Sequence, residues 1–449
     1  MYLLYSFLLT LGFILLLPRF VIDAFRSGKY VTGLSQRLGR LPQLNSNNHS
    51  IIWLHCVSVG EVRAAQSLVR ALLDKFPSTR LVVSTTTVTG QKVAHEIFGK
   101  QAVAVFYFPI DWAWTVRRAL RAIRPSVVLI METELWPRLF SECRRKQIPV
   151  ALVNGRISDK SFHRYRWIQS FIGRVLDDLT LAIMQSPEDA KRIRALGVSE
   201  EKLRVSGNLK FDSANVAIDQ DLTSKLRERF NFNSGPLIVA ASTHGSEEEV
   251  MLAAFRRTQE SHPNARLLIA PRHPERFQEV AGLLAKSGLS WSRRSQPESE
   301  RDAKSDVVLL DTIGELGAVY SLADLVFVGG SVAPHGGHNV LEPAAQGVCT
   351  ITGPYTQNFA WITNAMLNEE ALIQVPASAD FAAELPSIIN QLLSDDRRRR
   401  EIGARAKSVC QQNQGATEKT IEMISQLIAM RTEDVATVPF STFRATTAK

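Results

Sequence analysis

The feature that most constrains this chain is a repeated alternation. A short apolar run closes on a glycine or polar cluster, and an amphipathic stretch follows. SIIWLHC ends in Ser58-Val59-Gly60-Glu61 and passes into VRAAQSLVRALLDKF; RLVVSTTT, AVFYFP, SVVLIM, VALVNG and LAIM repeat the arrangement. Runs of this length and apolarity read as strands buried on both faces. Strands separated by helices predict a parallel sheet covered on either side. A second series starts at PLIVAAS and continues through ARLLIA, DVVLLD and DLVFVGG, after the polar stretch DSANVAIDQDLTSKLRERFNFNSG. The expected architecture is therefore α/β, with two Rossmann-like, doubly wound domains: residues 23–212 and 235–431, joined by a linker at 213–234. A tail at 432–449 reads as poorly ordered. Ligands of such sheets lie beyond the carboxyl ends of the strands, and here the two sets of ends are expected to face one another across a cleft.

The first residues set a second constraint. MYLLYSFLLTLGFILLLP carries no charge, and apolar character runs on to Ile22 with only Arg19 interrupting it. A cleaved signal would carry positive charge before the apolar run and small residues after it. Here Arg19, Arg26, Lys29, Arg37 and Arg40 follow instead, so residues 1–22 read as an N-terminal anchor with the bulk of the chain on the cytoplasmic side. The run is marginal for a full span, so a spanning helix and a helix lying in the surface both fit; a buried core helix is the competing reading.

Lys and Arg total 53 against 44 acidic residues, a net charge of +9. That surplus favours an anionic membrane face or acidic substrates, and without zinc-finger spacing, an RNP-like motif or a basic arm it does not point to nucleic acid. Cys56, Cys143, Cys349 and Cys410 are scattered and form no CxxC pair, as expected of reduced structural thiols. His335 and His338 read as loop histidines beside a ligand, not as a metal pair. Asp219-Gln220-Asp221 has metal-binding spacing but falls in the polar linker, and reads as solvated surface.

The chemistry should sit at the strand ends. GGSVAPHGGHNVLEPAAQG follows LADLVFV, so a strand, a glycine loop and a helix start combine to offer backbone N–H groups to an anion, with Glu342 placed to accept from sugar hydroxyls. Glu61 falls on the first turn of a helix, where the dipole should hold it ionised as a general base; a capping acid is the alternative. Glu132 and Glu134 stand at the mouth of a buried strand and need partners. Arg156 and Lys210 supply fixed cations after strands, and Arg272 does so in the second half.

In this order, WLHCVSVGEVRAA, METELWP, NGRIS, SGNLKFD, APRHPERF, IGEL and GGHNVLEPAAQG resemble the Kdo transferases, from the anchor to about residue 430. These are enzymes of lipopolysaccharide core biosynthesis at the bacterial inner membrane that move 3-deoxy-D-manno-octulosonic acid (Kdo) from CMP-Kdo to a lipid A precursor. The resemblance implies a GT-B fold, an inverting and metal-independent glycosyl transfer, no cofactor, and CMP-Kdo and the lipid precursor as partners. By motif it implies catalytic roles for Glu61 as base and for Glu132 and Lys210 as stabilisers of the transition state. It implies CMP contacts from Pro271, Arg272, His273, Ile313, Gly314, Glu315, Asn339, Val340, Leu341 and Glu342. Two alternatives stand beside it: a GT-B enzyme using a uridine nucleotide sugar, and a tethered nucleotide-sugar binder without turnover.

Overall fold

The computed structural model describes residues 1–27, 32–44, 49–213, 219–377 and 381–436. They form two compact units, Met1–Ser213 with Gln414–Lys449, and Ala214–Asn413. In the first unit, β1 (Ile51–His55), β2 (Arg80–Thr85), β3 (Ala102–Tyr107) and β4 (Val127–Met131) are followed by β5 (Val150–Gly155), β6 (Leu181–Met184) and β7 (Leu203–Val205). They pair in the order β3-β2-β1-β4-β5-β6-β7, every pairing parallel. Alternate residues of one strand feed opposite faces: Trp53, Val128 and Ile130 enter one core, and Ile52, Leu54, Leu129 and Met131 enter the other. That two-sided burial is why the strands read as continuous apolar runs rather than alternating ones. The helix Val59–Lys75 closes one face with Val62, Ala65, Leu68, Val69 and Leu72, a stripe at helical spacing.

The second unit repeats the plan. It contains β8 (Leu237–Thr243), β9 (Arg266–Pro271), β10 (Trp291–Arg293), β11 (Val307–Leu309), β12 (Leu325–Val328), β13 (Cys349–Thr352) and β14 (Ile373–Gln374). Their order is β10-β11-β9-β8-β12-β13-β14, again parallel. Each sheet therefore reverses its winding direction once, between β1 and β4 in the first unit and between β8 and β12 in the second. Ligand sites of open α/β sheets form at that reversal.

Two stretches depart from the expected division. The last helix, Ala416–Ala436, belongs to the first unit: Ala416, Ile421, Ile424 and Ile428 are buried in the core that also holds Leu68 and Leu209. Asp212 fixes its start by accepting from the backbone N–H of Gly415 (2.8 Å) and Thr417 (2.6 Å). Sequence order hides this return, because nothing local marks which sheet a terminal helix covers. Within the expected linker, Gln220–Arg229 is a helix of the second unit, where Thr223 donates to Ala318 O (3.3 Å) and Arg229 pairs with Asp302 (2.7 Å). Only Thr223 and Leu226 of that helix are buried, too narrow a stripe to show as periodicity.

The N-terminal helix runs Tyr2–Ser27, longer than the apolar run alone, and its first 18 residues are long and apolar enough to cross a membrane. None of that window is buried, which removes the core-helix reading. It is nevertheless attached along one edge. Tyr2 donates to Asp178, Tyr5 donates to Asp111 (3.0 Å), Arg138 donates to Ser6 Oγ (2.6 Å) and Tyr2 O (2.7 Å), and Phe13 meets Trp112. Leu3, Leu4, Phe7, Leu8, Ile14 and Leu15 point outward.

Candidate active site

In the first unit the carboxyl ends of β1 and β4, on either side of the sheet's reversal, carry Glu61 and Glu132. Ser58 caps the helix Val59–Lys75: its Oγ accepts from Glu61 N–H and donates back to Glu61 Oε1 (2.9 Å). Val57 N–H donates to Glu61 Oε2 (2.7 Å). These bonds give Glu61 the part of a helix-capping acid. The expectation that the helix dipole holds it ionised is not met. Burial, then the nearby charge of Glu132, pushes the carboxyl up to about 7 against the two hydrogen bonds that favour the anion. A buried acid beside a second acid pays more for its charge than one helix end returns.

Glu132 has its backbone in the left-handed region at φ 52°, a costly conformation for a residue with a Cβ, and is held there by donating its N–H to Val153 O (2.9 Å). The turn aims its carboxylate at two cations: Arg156 Nε lies 2.9 Å from Oε2 and Lys210 Nζ lies 3.5 Å from Oε1. Lys210 is placed by a brace across three strand ends. Asn154, itself at φ 56°, accepts from Leu209 N–H (3.0 Å), Gln185 donates to Asn154 O (2.9 Å), Asn208 donates to Gln185 (3.0 Å), and Lys210 N–H returns to Asn208 Oδ1 (3.0 Å). Glu134, half-buried beside Glu132, is raised to about 6 by burial and by that neighbour. The result is a cluster of three carboxyl groups, with Glu61 and Glu134 raised and the fixed positive charge gathered on Glu132.

In the second unit the expected residues line one edge of the sheet. Pro271 ends β9 and is buried, with Arg272 and His273 following it. Ile313, 81% exposed, and Gly314, at φ 91°, follow β11, and Glu315 is held by a two-pronged bond from Arg294 (2.9 and 3.0 Å) and by Thr312 (2.7 Å). Asn339 and Glu342 cap each other's turn: Asn339 Oδ1 accepts from Leu341 N–H (3.1 Å) and Asn339 Nδ2 donates to Glu342 Oε1 (3.1 Å). The following helix, Leu341–Ala345, is one short turn, and Val340 and Leu341 are core side chains, able to meet a ligand only through their backbone. Gln346 donates to Gly317 O (2.9 Å), joining this turn to the segment after Glu315.

The glycine loop differs from expectation in one respect. Its first N–H groups are already engaged. Glu247, buried on the helix after β8, accepts from Gly330 (2.7 Å), Ser331 (2.9 Å) and Val332 (3.0 Å), and from His244 N–H (2.8 Å). A protein carboxylate thus occupies the role predicted for a ligand anion. Gly329 must be glycine, since a Cβ there would stand 2.5 Å from Glu247 Oε2. The sequence places a strand at PLIVAAS, but the THGSEEE that closes it drew no functional assignment, although it has the same strand-end signature: an apolar run closing on a small polar turn before an acid-led helix. Four histidines gather here, His244 with His335 at 4.0 Å and His273 at 5.3 Å between ring centres, and His338 against Gly330.

Among the described residues no group of three or more His, Cys, Asp or Glu side chains is placed to hold a metal ion. Asp219 caps the helix Gln220–Arg229 and Asp221 pairs with Lys225 (2.6 Å), so both acids have structural work.

Residues 32–213 match the family model described as 3-deoxy-D-manno-octulosonic-acid transferase (kdotransferase). The chain is 34% identical, over 89% of its own length and 92% of the relative's, to 3-deoxy-D-manno-octulosonic acid transferase of Haemophilus influenzae. Two solved structures share its fold at low identity. A glycosyltransferase from Rickettsia africae has a TM-score of 0.55 and 13% identity, over 85% of this chain and 99% of the other. UDP-GlcNAc 2-epimerase from Neisseria meningitidis, bound to UDP-GlcNAc, has a TM-score of 0.57 and 11% identity, over 84% and 100%. The arrangement is that of the GT-B fold.

Proposed function

This chain belongs to the 3-deoxy-D-manno-octulosonic acid transferases, and from that premise we propose that it moves Kdo from CMP-Kdo to the primary hydroxyl of a lipid A precursor. The observation that carries this reading is the state of Glu61. A carboxyl pushed up to about 7 and anchored on both oxygens is matched to taking a proton at neutral pH. The acceptor hydroxyl loses its proton to Glu61 as its oxygen bonds to the anomeric carbon of Kdo. The bond from that carbon to the phosphate oxygen breaks on the opposite side, with inversion. CMP departs as a phosphate anion that needs no proton, so the remaining demand is electrostatic.

Glu132 and Lys210 supply the fixed charges of the acceptor unit, held by Arg156 and the Asn154–Gln185–Asn208 brace. On the donor unit, Arg272 and His273 after β9, the Ile313–Glu315 turn and the Asn339–Glu342 turn take CMP, with Pro271, Val340 and Leu341 shaping the backbone they hang from. The outward leucines of the Tyr2–Ser27 helix, with Arg19 and Arg26 after them in sequence, support a position at the cytoplasmic face of the inner membrane, where the net charge of +9 suits an anionic surface. Purified protein incubated with CMP-Kdo and a tetraacylated lipid A precursor tests the reading: CMP is released when both substrates are present, and absence of release under those conditions overturns it.

A further inference from the structure

Four histidines of the second unit, His244, His273, His335 and His338, gather at one end of its sheet. They come from three strand-end loops on either side of the sheet's reversal: His244 after β8, His273 after β9, His335 and His338 after β12. His244 and His335 are in ring contact at 4.0 Å, and His273 meets His244 edge-on at 5.3 Å. Arg272 bears on His338 as well. Two ring nitrogens, His244 Nδ1 and His338 Nε2, are buried and have no hydrogen-bond partner. The carboxylate nearest the group, Glu247, spends its oxygens on four backbone N–H groups, so it orders the loops without satisfying the rings.

Burial, neighbouring rings and a guanidinium oppose protonation of His338 and His244. His338 is pushed down to about 4 by burial, then by Arg272, His244, His273 and His335; His244 is lowered by burial, then by His335, His273 and Arg276, with Glu247 acting the other way. Such a group has a latent capacity. An oxyanion arriving among the rings would make the protonated forms favourable and give the unpartnered nitrogens an acceptor.

We propose that His244, His335 and His338, flanked by Arg272 and His273, form the receptor for the acidic group of the donor, an oxyanion. This rests on the donor reading above. The donor so assigned carries two candidates of the same chemistry, the carboxylate of its sugar and the phosphate of its nucleotide.

Calorimetric titration of the full chain with cytidine, CMP and CMP-Kdo, in wild type, His244→Gln and His335→Asn, separates the possibilities. For the wild type, CMP-Kdo binding should strengthen as pH falls from 8 to 6, and two buffers of different ionisation heat should report proton uptake. A loss of roughly ten-fold to a hundred-fold in CMP-Kdo affinity on substitution, with CMP affinity unchanged, assigns the carboxylate; the same loss for both ligands assigns the phosphate. Cytidine binding should be indifferent to either substitution. Wild-type affinity for CMP-Kdo retained in both variants, with no proton uptake, overturns the receptor and leaves the donor reading intact. Failure of the wild type to bind CMP or CMP-Kdo at all overturns the donor reading and the receptor with it.

Discussion

Lys210 Nζ stands 3.5 Å from Glu132 Oε1, and this contact ties the strand end after β7 to the one after β4, three positions along the sheet. Arg156 completes the clamp from the end of β5. Glu132 thus carries its negative charge at the cost of two cations, while Glu61, beside it, receives none. Burial without a cation of its own is what lets Glu61 exchange a proton near neutrality.

Replacing Glu61 with Gln should lower kcat by on the order of 10²- to 10⁴-fold while leaving the fold intact, since an amide oxygen can keep one of the two accepted hydrogen bonds. In the wild type, kcat/KM should fall as pH drops through about 7. The same shift has a stability consequence. A carboxyl raised in the folded state makes its full contribution below its ordinary value of 4.5 and loses it as pH rises through about 7. The melting temperature of Glu61→Gln relative to wild type should therefore rise between those limits, as thermal melts across that range would show.

Glu132→Gln should move the acidic limb of the kcat/KM profile to lower pH. The charge of Glu132 is the second cause of the rise in Glu61, after burial, so the limb should shift part of the way and not return to 4.5. Activity should fall as well, because Lys210 and Arg156 lose the charge that orients them. A pH–rate profile of the variant measures both.

Glu247→Ala should strip the acceptor from four backbone N–H groups at once. Orphaning buried donors should cost roughly 3 kcal/mol or more. For a unit of this size that corresponds to a fall of about 6–12 °C in its melting temperature. CMP affinity should fall with it, since the loop from Gly329 to Glu342 would lose its anchor. Calorimetry of the variant with and without CMP reads both effects.

Leu4→Lys, Leu8→Lys and Leu15→Lys together should move the protein from the membrane to the soluble fraction. Their side chains are 62%, 56% and 71% exposed, on the side of the helix away from Tyr2, Tyr5 and Ser6. Each lysine placed in hydrocarbon costs about 3 kcal/mol. Circular dichroism should remain that of the wild type, because the contacts to Asp111, Asp178 and Arg138 are untouched.

The alternation of apolar runs made both parallel sheets legible, because strands buried on two faces carry few charged residues to break the pattern. The acids at the strand ends were legible for the converse reason: Glu61, Glu132 and Glu134 interrupt apolar sequence where burial is costly. What stayed hidden is long-range. Nothing near Ala416 says that its helix covers the first sheet, and nothing near Glu247 says that its carboxylate will take the N–H groups of Gly330, Ser331 and Val332, more than eighty residues away. The ionisation of Glu61 was misjudged on the same account, since the helix start is local and visible while the burial and the approach of Glu132 are products of the fold.

Mass spectrometry of the acceptor lipid, after purified protein has been incubated with CMP-Kdo and tetraacylated lipid A precursor, tests the central claim most directly. The account predicts a lipid heavier by one or more whole Kdo residues, with one CMP formed for each, and no gain with Glu61→Gln on the same timescale. An acceptor of unchanged mass with the wild-type protein, or an equal gain with Glu61→Gln, would contradict it.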